Sequence, residues 1–401
     1  MKSTSVAHAP SDEGPLLLET EPLKPAAFVA RLNRFVVSGR MKAGRGGARE
    51  VMAYMANPGR MWEMLLPGTE LLLAPRPRSR LGWEAVGLRW QQRWPGDRPR
   101  VVFLNAGLVA RVAARMLEER FVPEIGDAVI VRAEAPVAGS RIDLLLSRSG
   151  TPYLLEVKSA TLVEHGLALF PDACSERARH HLEALAGFVP GRRSGVLFVV
   201  QGCADRFLPD FHNDLDFAAA FSVLRDRLDL FAYALEPRLD ADCRLSFQGW
   251  PNALTIPWRI LEAGIADGGL YILLLHLNRR KRLEVGSLGY RDFPSGWYAY
   301  AGSAHRALSQ RLDRHLCLIK RPRYHVDVLR AAADHARALA IRATRRGECE
   351  LASALHSIAV SSMPRFGSYD CRCPGHLFYF ADDPLRTPAF QHLLTDWRHR
   401  L

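Results

Sequence analysis

Apolar positions along this chain change their spacing several times, and each change predicts a different kind of element. From residue 28 to 103 the apolar runs are short and broken by Gly and Pro: Phe35-Val36-Val37, Val51-Met52-Ala53-Tyr54, Leu71-Leu72-Leu73 and Trp83-Glu84-Ala85-Val86. Short β-prone runs at this spacing predict a small β-barrel. Between Asn105 and Arg120 the period becomes helical, with Val109, Val112, Ala113, Met116 and Leu117 on one stripe and Asn105 as N-cap. A strand is predicted near Val129–Glu134, then two strands meeting at Ser149-Gly150. Helices follow over Ser175–Phe188 and Phe217–Leu228, and strands over Val196–Val200 and Leu230–Leu235. Helix, hairpin, helix and strand predict a mixed α/β sandwich. Residues 237–262 look irregular, with Pro237, Pro251 and Pro257, and a new domain opens near Gly268 with the apolar strand Tyr271–Leu277.

The hairpin around Ser149-Gly150 carries candidate chemistry. If Arg148 pairs with Thr151, Asp143 falls opposite Glu156, and Lys158 shares their face. Leu144, Leu145, Leu146, Leu154, Leu155 and Val157 make both faces apolar, as in a buried strand, where charges seldom enter unpaired. That argues against an ordinary solvated strand face. Like charges directly opposite each other destabilise a sheet, and a divalent cation would compensate. An Asp, a spacer and Glu-x-Lys resemble the metal-dependent nucleases of the PD-(D/E)xK type. Two carboxylates suit a Mg²⁺ or Mn²⁺ ion, and a nearby ammonium suits an attacking water. The candidate catalytic set is therefore Asp143, Glu156 and Lys158, with Asp143 and Glu156 as metal ligands. Arg177 and His181, one helical turn apart, are expected to face the phosphate, and Glu118 or Glu119 could add an acidic ligand.

Charge sharpens this picture. The 401 residues hold 54 Lys and Arg against 42 Asp and Glu, a formal net charge of +12, which favours a nucleic-acid partner. A GC-rich coding sequence would also enrich Arg, so charge alone does not decide. Within the predicted barrel, Arg76, Arg78 and Arg80 form a basic loop. Trp83, Trp90 and Trp94 alternate with Arg89, Arg93, Arg98 and Arg100. Cationic loops beside aromatic rings can stack bases, although each single Trp fits a core position better. The candidate nucleic-acid contacts are Arg60, Arg76, Arg78, Arg80, Arg89 and Arg93. Seven scattered Cys do not make a disulfide framework and fit a reducing compartment. With neither a signal-like N-terminus nor an apolar run of spanning length, a cytoplasmic chain without a membrane partner is expected.

In the last third, Gly269-Leu270-Tyr271 and Tyr300-Ala301-Gly302 precede a helix whose inner face is Leu308, Leu312 and Leu316, with Arg311 and His315 on an adjoining face. A G-x-Y strand beside a Y-x-G strand resembles the GIY-YIG nuclease superfamily. The resemblance implies a second possible site of Tyr271, Tyr300, Arg311, His315 and Glu350. The two triplets are far apart, and Ala301 stands where that superfamily has Ile, so a catalytically silent binding domain is slightly preferred. Cys371-Arg372-Cys373-Pro374-Gly375-His376 offers three zinc-type ligands, with Cys349 or His356 as a fourth. The spacing is tighter than common zinc frameworks, and a turn leading into Leu377–Phe380 is expected instead.

Several segments through about residue 255 resemble the sugar fermentation stimulation protein A family. They are Ala56–Met61, Leu66-Pro67-Gly68, Ser140–Asp143, Glu156–Leu162, Ala168–Ala173, and Glu176-Arg177 through His181-Leu182. Pro58 stands where that family suggests Thr, and His180 where it suggests Lys. Residues of about 268–390, through Phe366–Cys373 and His376–Phe378, are similar to a GIY-YIG-related domain of unknown function. These resemblances imply a multidomain α+β protein: an N-terminal OB-like β-barrel, a PD-(D/E)xK nuclease-like α/β core and a C-terminal GIY-YIG-like α/β domain. The expected boundaries are a poorly ordered 1–27, the barrel at 28–104, the core at 105–255, a linker at 256–267, the third domain at 268–390 and a tail at 391–401. The implied function is metal-dependent hydrolysis of DNA, with RNA as a second candidate substrate. The alternative is a non-catalytic DNA-binding regulator on the same scaffold.

Overall fold

Inward-facing apolar residues explain why the first strands close on themselves. In the computed structural model, which describes residues 14–42, 46–90, 99–137, 140–188, 193–319 and 321–401, Val51 and Ala53 alternate inward, as do Leu71 and Leu73. With Val37, Ala85 and Leu88 they fill one core. The strands are Lys24–Asn33, Val36–Lys42, Ala48–Tyr54, Glu70–Pro75 and Trp83–Trp90. The first pairs with the second and the fourth, and the parallel pairing of Ala53 with Trp83 and Tyr54 with Glu84 closes a five-stranded barrel. This is the OB arrangement.

The central domain is built around a six-stranded sheet. Its middle strands, Thr151–Ala160, Ser194–Val200 and Leu228–Ala234, run parallel and are buried along most of their length, as expected when both faces are covered. The helix Ala106–Glu118 covers one face through Val109, Val112, Ala113, Met116 and Leu117, and Asn105 caps it by accepting from the Gly107 and Leu108 amides. The helices Glu176–Gly187 and Leu215–Val223 cover the other face through Leu182, Leu185, Phe217 and Phe221.

The C-terminal domain has a five-stranded antiparallel sheet with Gly269–Leu277 and Gly296–Ala304 among its inner strands. Helices Leu308–Leu316 and His325–Ala332 pack on one side, and Glu348–His356 and Pro388–His399 on the other. Among the described residues no helix is long and apolar enough to cross a membrane.

Four expectations need correction. Residues 14–27 are ordered: Leu16–Glu19 pairs with Leu245–Gln248, and Leu17, Leu18 and Leu23 are buried. The segment expected as a linker holds a helix, Trp258–Ile265, which buries Leu261 and stacks Trp258 on Phe221 with ring centroids 5.8 Å apart. The expected tail belongs to the helix Pro388–His399, whose Phe390, Leu393, Leu394 and Trp397 enter the core. The helix predicted over Phe217–Leu228 is shifted and shorter, Leu215–Val223: Asp214 caps its start by accepting from the Phe217 amide, and a turn closed by the Arg227 and Leu228 amides on the Leu224 carbonyl ends it.

Candidate active site

The hairpin ladder breaks where the charges begin. Arg148 pairs with Thr151, and the register runs on to Leu144 opposite Leu155. One step further, side chains replace the ladder. The Val157 amide donates to Asp143 Oδ2 (2.8 Å), and the Asp143 amide approaches Glu156 Oε2 (3.3 Å). Asp143 and Glu156 are thus held side by side, each carboxylate by an amide of the facing strand. Glu156 is only 2% exposed, and Lys158 Nζ and His181 Nδ1 both lie 2.5 Å from its Oε1. His181 Nε2 accepts from Arg177 Nε at 3.5 Å.

Burial and the neighbouring Glu156 push the Asp143 carboxyl above its ordinary range. Burial also acts upward on Glu156, but hydrogen bonds from His181 and Lys158 outweigh it and hold Glu156 below the ordinary value. Two adjacent carboxylates with opposed shifts, one disfavoured as an anion, form a donor set that a hard divalent cation would relieve. Among the described residues, no hydrogen bond engages Asp143 Oδ1.

The structure therefore brings Asp143, Glu156 and Lys158 together and alters the roles of their neighbours. His181 is buried and holds Glu156 instead of facing a phosphate. Arg177 remains exposed in the first turn of its helix. Glu118 and Glu119 do not join the cluster: both are exposed partners of Arg115, at 2.7 and 3.0 Å.

The barrel's cationic residues divide in the same way. Arg76, Arg78 and Arg80 lie on an exposed loop, with the Arg76 guanidinium 4.4 Å from the Tyr54 ring centroid. Tyr54 stacks on Phe35, which is 41% exposed, and Arg34 lies over Phe35. Sequence reasoning missed Arg34, Phe35 and Tyr54, which carry the exposed aromatic face. Trp90 is buried, with Arg100 stacked over it and bonded to the Gln201 carbonyl, so that pair is structural. Arg89 pairs with Glu70 at 3.0 Å. Arg60 is half-buried where the barrel meets the other domains: it and Arg337 each lie 4.8 Å from the Trp62 ring centroid. Arg93, Trp94 and Arg98 lie outside the described residues.

Comparison with known proteins identifies these domains. The sugar fermentation stimulation protein RE domain matches residues 107–240, and the SfsA N-terminal OB domain matches residues 29–95. A homolog of that name from Methanothermobacter thermautotrophicus is 34% identical over 198 residues, covering 48% of this chain and 78% of the homolog. The chain belongs to the sugar fermentation stimulation protein family. A second homolog, from Chloroflexus aggregans, is 36% identical over 219 residues, covering 53% of this chain and 79% of its own. The solved structure of Pyrococcus furiosus SfsA in complex with Ca²⁺ aligns with a TM-score of 0.52 at 25% identity, over 60% of this chain and 99% of that one. Residues 270–398 match a domain of unknown function, DUF123.

Two segments that resemble the sugar fermentation stimulation protein family meet between domains. The Met61 amide donates to Asp172 Oδ2 at 3.1 Å, and the Arg31 guanidinium gathers the carbonyls of Asn57, Gly59 and Arg60. A Cβ at Gly59 would sit 2.3 Å from the Asp172 carboxylate, so glycine permits this approach. These motif residues dock the barrel on the core.

The DUF123 domain carries the second predicted cluster, with one substitution. Tyr271 Oη lies 2.9 Å from His315 Nε2, and the Asp327 carboxylate lies 3.5 Å from His315 Nδ1. Gly302 pairs with Tyr271, and a Cβ there would lie 2.3 Å from the Tyr271 ring, which explains the glycine of Tyr300-Ala301-Gly302. Burial pushes both the Tyr271 and Tyr300 phenols up, against the pull of Arg311. The acid beside this cluster is Glu348, whose charge acts on both phenols, not Glu350. Glu350 is exposed and caps its helix by accepting from the Gly347 amide, whereas Glu348 accepts from Ser303 Oγ and contacts His376 Nδ1 at 2.8 Å.

Proposed function

We propose that this chain binds DNA and hydrolyses its phosphodiester bonds with a Mg²⁺ or Mn²⁺ ion held by Asp143 and Glu156. RNA is the second candidate substrate. The observation that carries this reading is the buried pair Asp143 and Glu156 with Lys158 on the same sheet face. The donor chemistry fits a hard cation, and the Pyrococcus furiosus relative was solved in complex with Ca²⁺. When bound, such a cation would polarise the phosphate and lower the pKa of a coordinated water. The chain's own groups do the rest. Lys158 Nζ, held against Glu156, stabilises charge developing on the phosphate. His181 fixes the Glu156 carboxylate, and exposed Arg177 offers a fork to a phosphate oxygen. The barrel supplies an approach surface in Phe35, Tyr54, Arg34 and Arg76, suited to stacked bases and phosphates.

A non-catalytic DNA-binding regulator is the second reading. It is favoured by the closure of Glu156 Oε1, on which Lys158 and His181 both converge. In the DUF123 domain, the raised Tyr271 phenol already engaged by His315 favours binding over chemistry.

Single-turnover cleavage of labelled single- and double-stranded DNA by the full chain separates the two readings. Products are expected in Mg²⁺ or Mn²⁺ and none in EDTA. Salt-sensitive binding with no product under any cation would overturn hydrolysis and leave the regulator.

A further inference from the structure

Three cysteines and a histidine from distant stretches meet on the C-terminal domain. Cys349 lies in the first turn of the helix Glu348–His356, and Cys371, Cys373 and His376 lie on the loop before Leu377–Phe380. Their candidate ligand atoms all lie within 4.8 Å of one another. His376 Nε2 is 3.5 Å from Cys371 Sγ. Ligands placed 2.0–2.3 Å from a tetrahedral zinc are separated by roughly 3.3–3.8 Å, so this spacing suits one ion. The cysteines are free thiols.

A second observation points the same way. The other ring nitrogen of His376, Nδ1, is held at 2.8 Å by Glu348 Oε1. A carboxylate on one imidazole nitrogen commonly directs the other towards a metal. The loop itself is fixed by its backbone: the Arg365 amide donates to the Pro374 carbonyl, and the His376 amide to the Phe366 carbonyl. A Cβ at Gly375 would lie 2.2 Å from the Met363 carbonyl oxygen, so glycine allows the loop to turn this tightly.

We propose that Cys349, Cys371, Cys373 and His376 bind one Zn²⁺ in a closed structural site, with Glu348 orienting His376. Thiolate and imidazole ligands select zinc over Mg²⁺ or Ca²⁺, and four protein ligands leave no position for substrate. The site is therefore distinct from the Asp143 and Glu156 pair. The ion ties the loop to the helix that carries Glu348. Because Glu348 also holds Ser303, next to Gly302, the ion would brace the strand beside the Tyr271 and Tyr300 cluster.

The test is metal analysis of the full chain purified under reducing conditions. About one zinc per chain is expected, retained by Cys203→Ser and lost in Cys371→Ser and Cys373→Ser. A mercurial reagent should release zinc from the folded wild type as thiols are titrated, which keeps the test decisive if a variant misfolds. Co²⁺ exchanged into the wild type should show thiolate charge-transfer and intense tetrahedral bands. Glu348→Gln should weaken zinc binding by about 10–100-fold. Wild type without zinc and without a Co²⁺ spectrum would overturn the proposal, as would full zinc in both cysteine variants.

Discussion

Replacing Asp143 with Asn should stabilise the cation-free protein and destabilise it, relative to wild type, once a cation is present. Asn keeps an oxygen to accept from the Val157 amide but removes the charge beside Glu156. Like charges in facing strand positions cost roughly 0.2–1 kcal/mol. The variant should therefore gain about 0.2–1 kcal/mol in EDTA at pH 7. For a domain of about 150–250 residues that is up to about 4 °C in Tm. Its pH dependence has a definite sign. The folded Asp143 carboxyl sits above the unfolded value of 3.8, so its contribution is fully present below that value and is lost as pH rises through the folded pKa. The gain of Asn over Asp should accordingly vanish near pH 4 and below. A cation at 100 times its Kd should add about 2.7 kcal/mol to wild type and little to the variant, reversing the order. Thermal melts with EDTA, Mg²⁺ and Mn²⁺ read this directly. A variant less stable than wild type in EDTA, or equal stabilisation of both by the cation, would refute the reasoning.

Three further outcomes are expected. Arg34→Gln and Arg76→Gln together should weaken binding to all DNA sequences and flatten the salt dependence of log Kd by about 2, read by fluorescence anisotropy; an unchanged slope would remove this barrel face as the docking surface. Gly302→Ala should cost about 1–3 kcal/mol because its Cβ meets the Tyr271 ring, whereas Gly187→Ala, with no atom near its added Cβ, should be neutral or slightly stabilising in the same melts. His212 is buried between the Arg342 amide and the Arg398 carbonyl, and burial with Arg398 nearby holds it well below 6.5, so it is neutral when folded. The unfolded chain binds the extra proton, so wild-type stability should fall as pH drops below about 6.5, and His212→Gln should flatten that fall.

The hairpin was legible because a strand has a period of two, so one turn position fixes every partner. The register from Arg148 opposite Thr151 follows from Ser149-Gly150 alone. The stripe from Val109 to Leu117 was legible because a buried helix face repeats along one segment. What escaped depends on distant partners. Leu16–Glu19 pairs with a strand more than 200 residues away, which no local pattern reveals. The choice between Glu348 and Glu350 turns on how a helix docks, since both lie in its first turn. His181 sits one turn from Arg177, as spacing requires, but only packing turns its Nδ1 onto Glu156. Phe35 and Tyr54 read as ordinary strand aromatics, and their exposure follows from barrel closure. The C-terminal stripe Phe390, Leu393, Leu394 and Trp397 does have helical spacing, and the flanking Arg and His residues disguised it as a tail.

The most direct measurement is the single-turnover cleavage rate of wild type and Asp143→Asn, side by side, on one labelled DNA in Mg²⁺. The account predicts products from wild type and a rate at least about 100-fold lower from the variant, because electrostatic groups of this kind typically contribute that much. Equal rates would contradict it and remove Asp143 and Glu156 as the cation-binding pair.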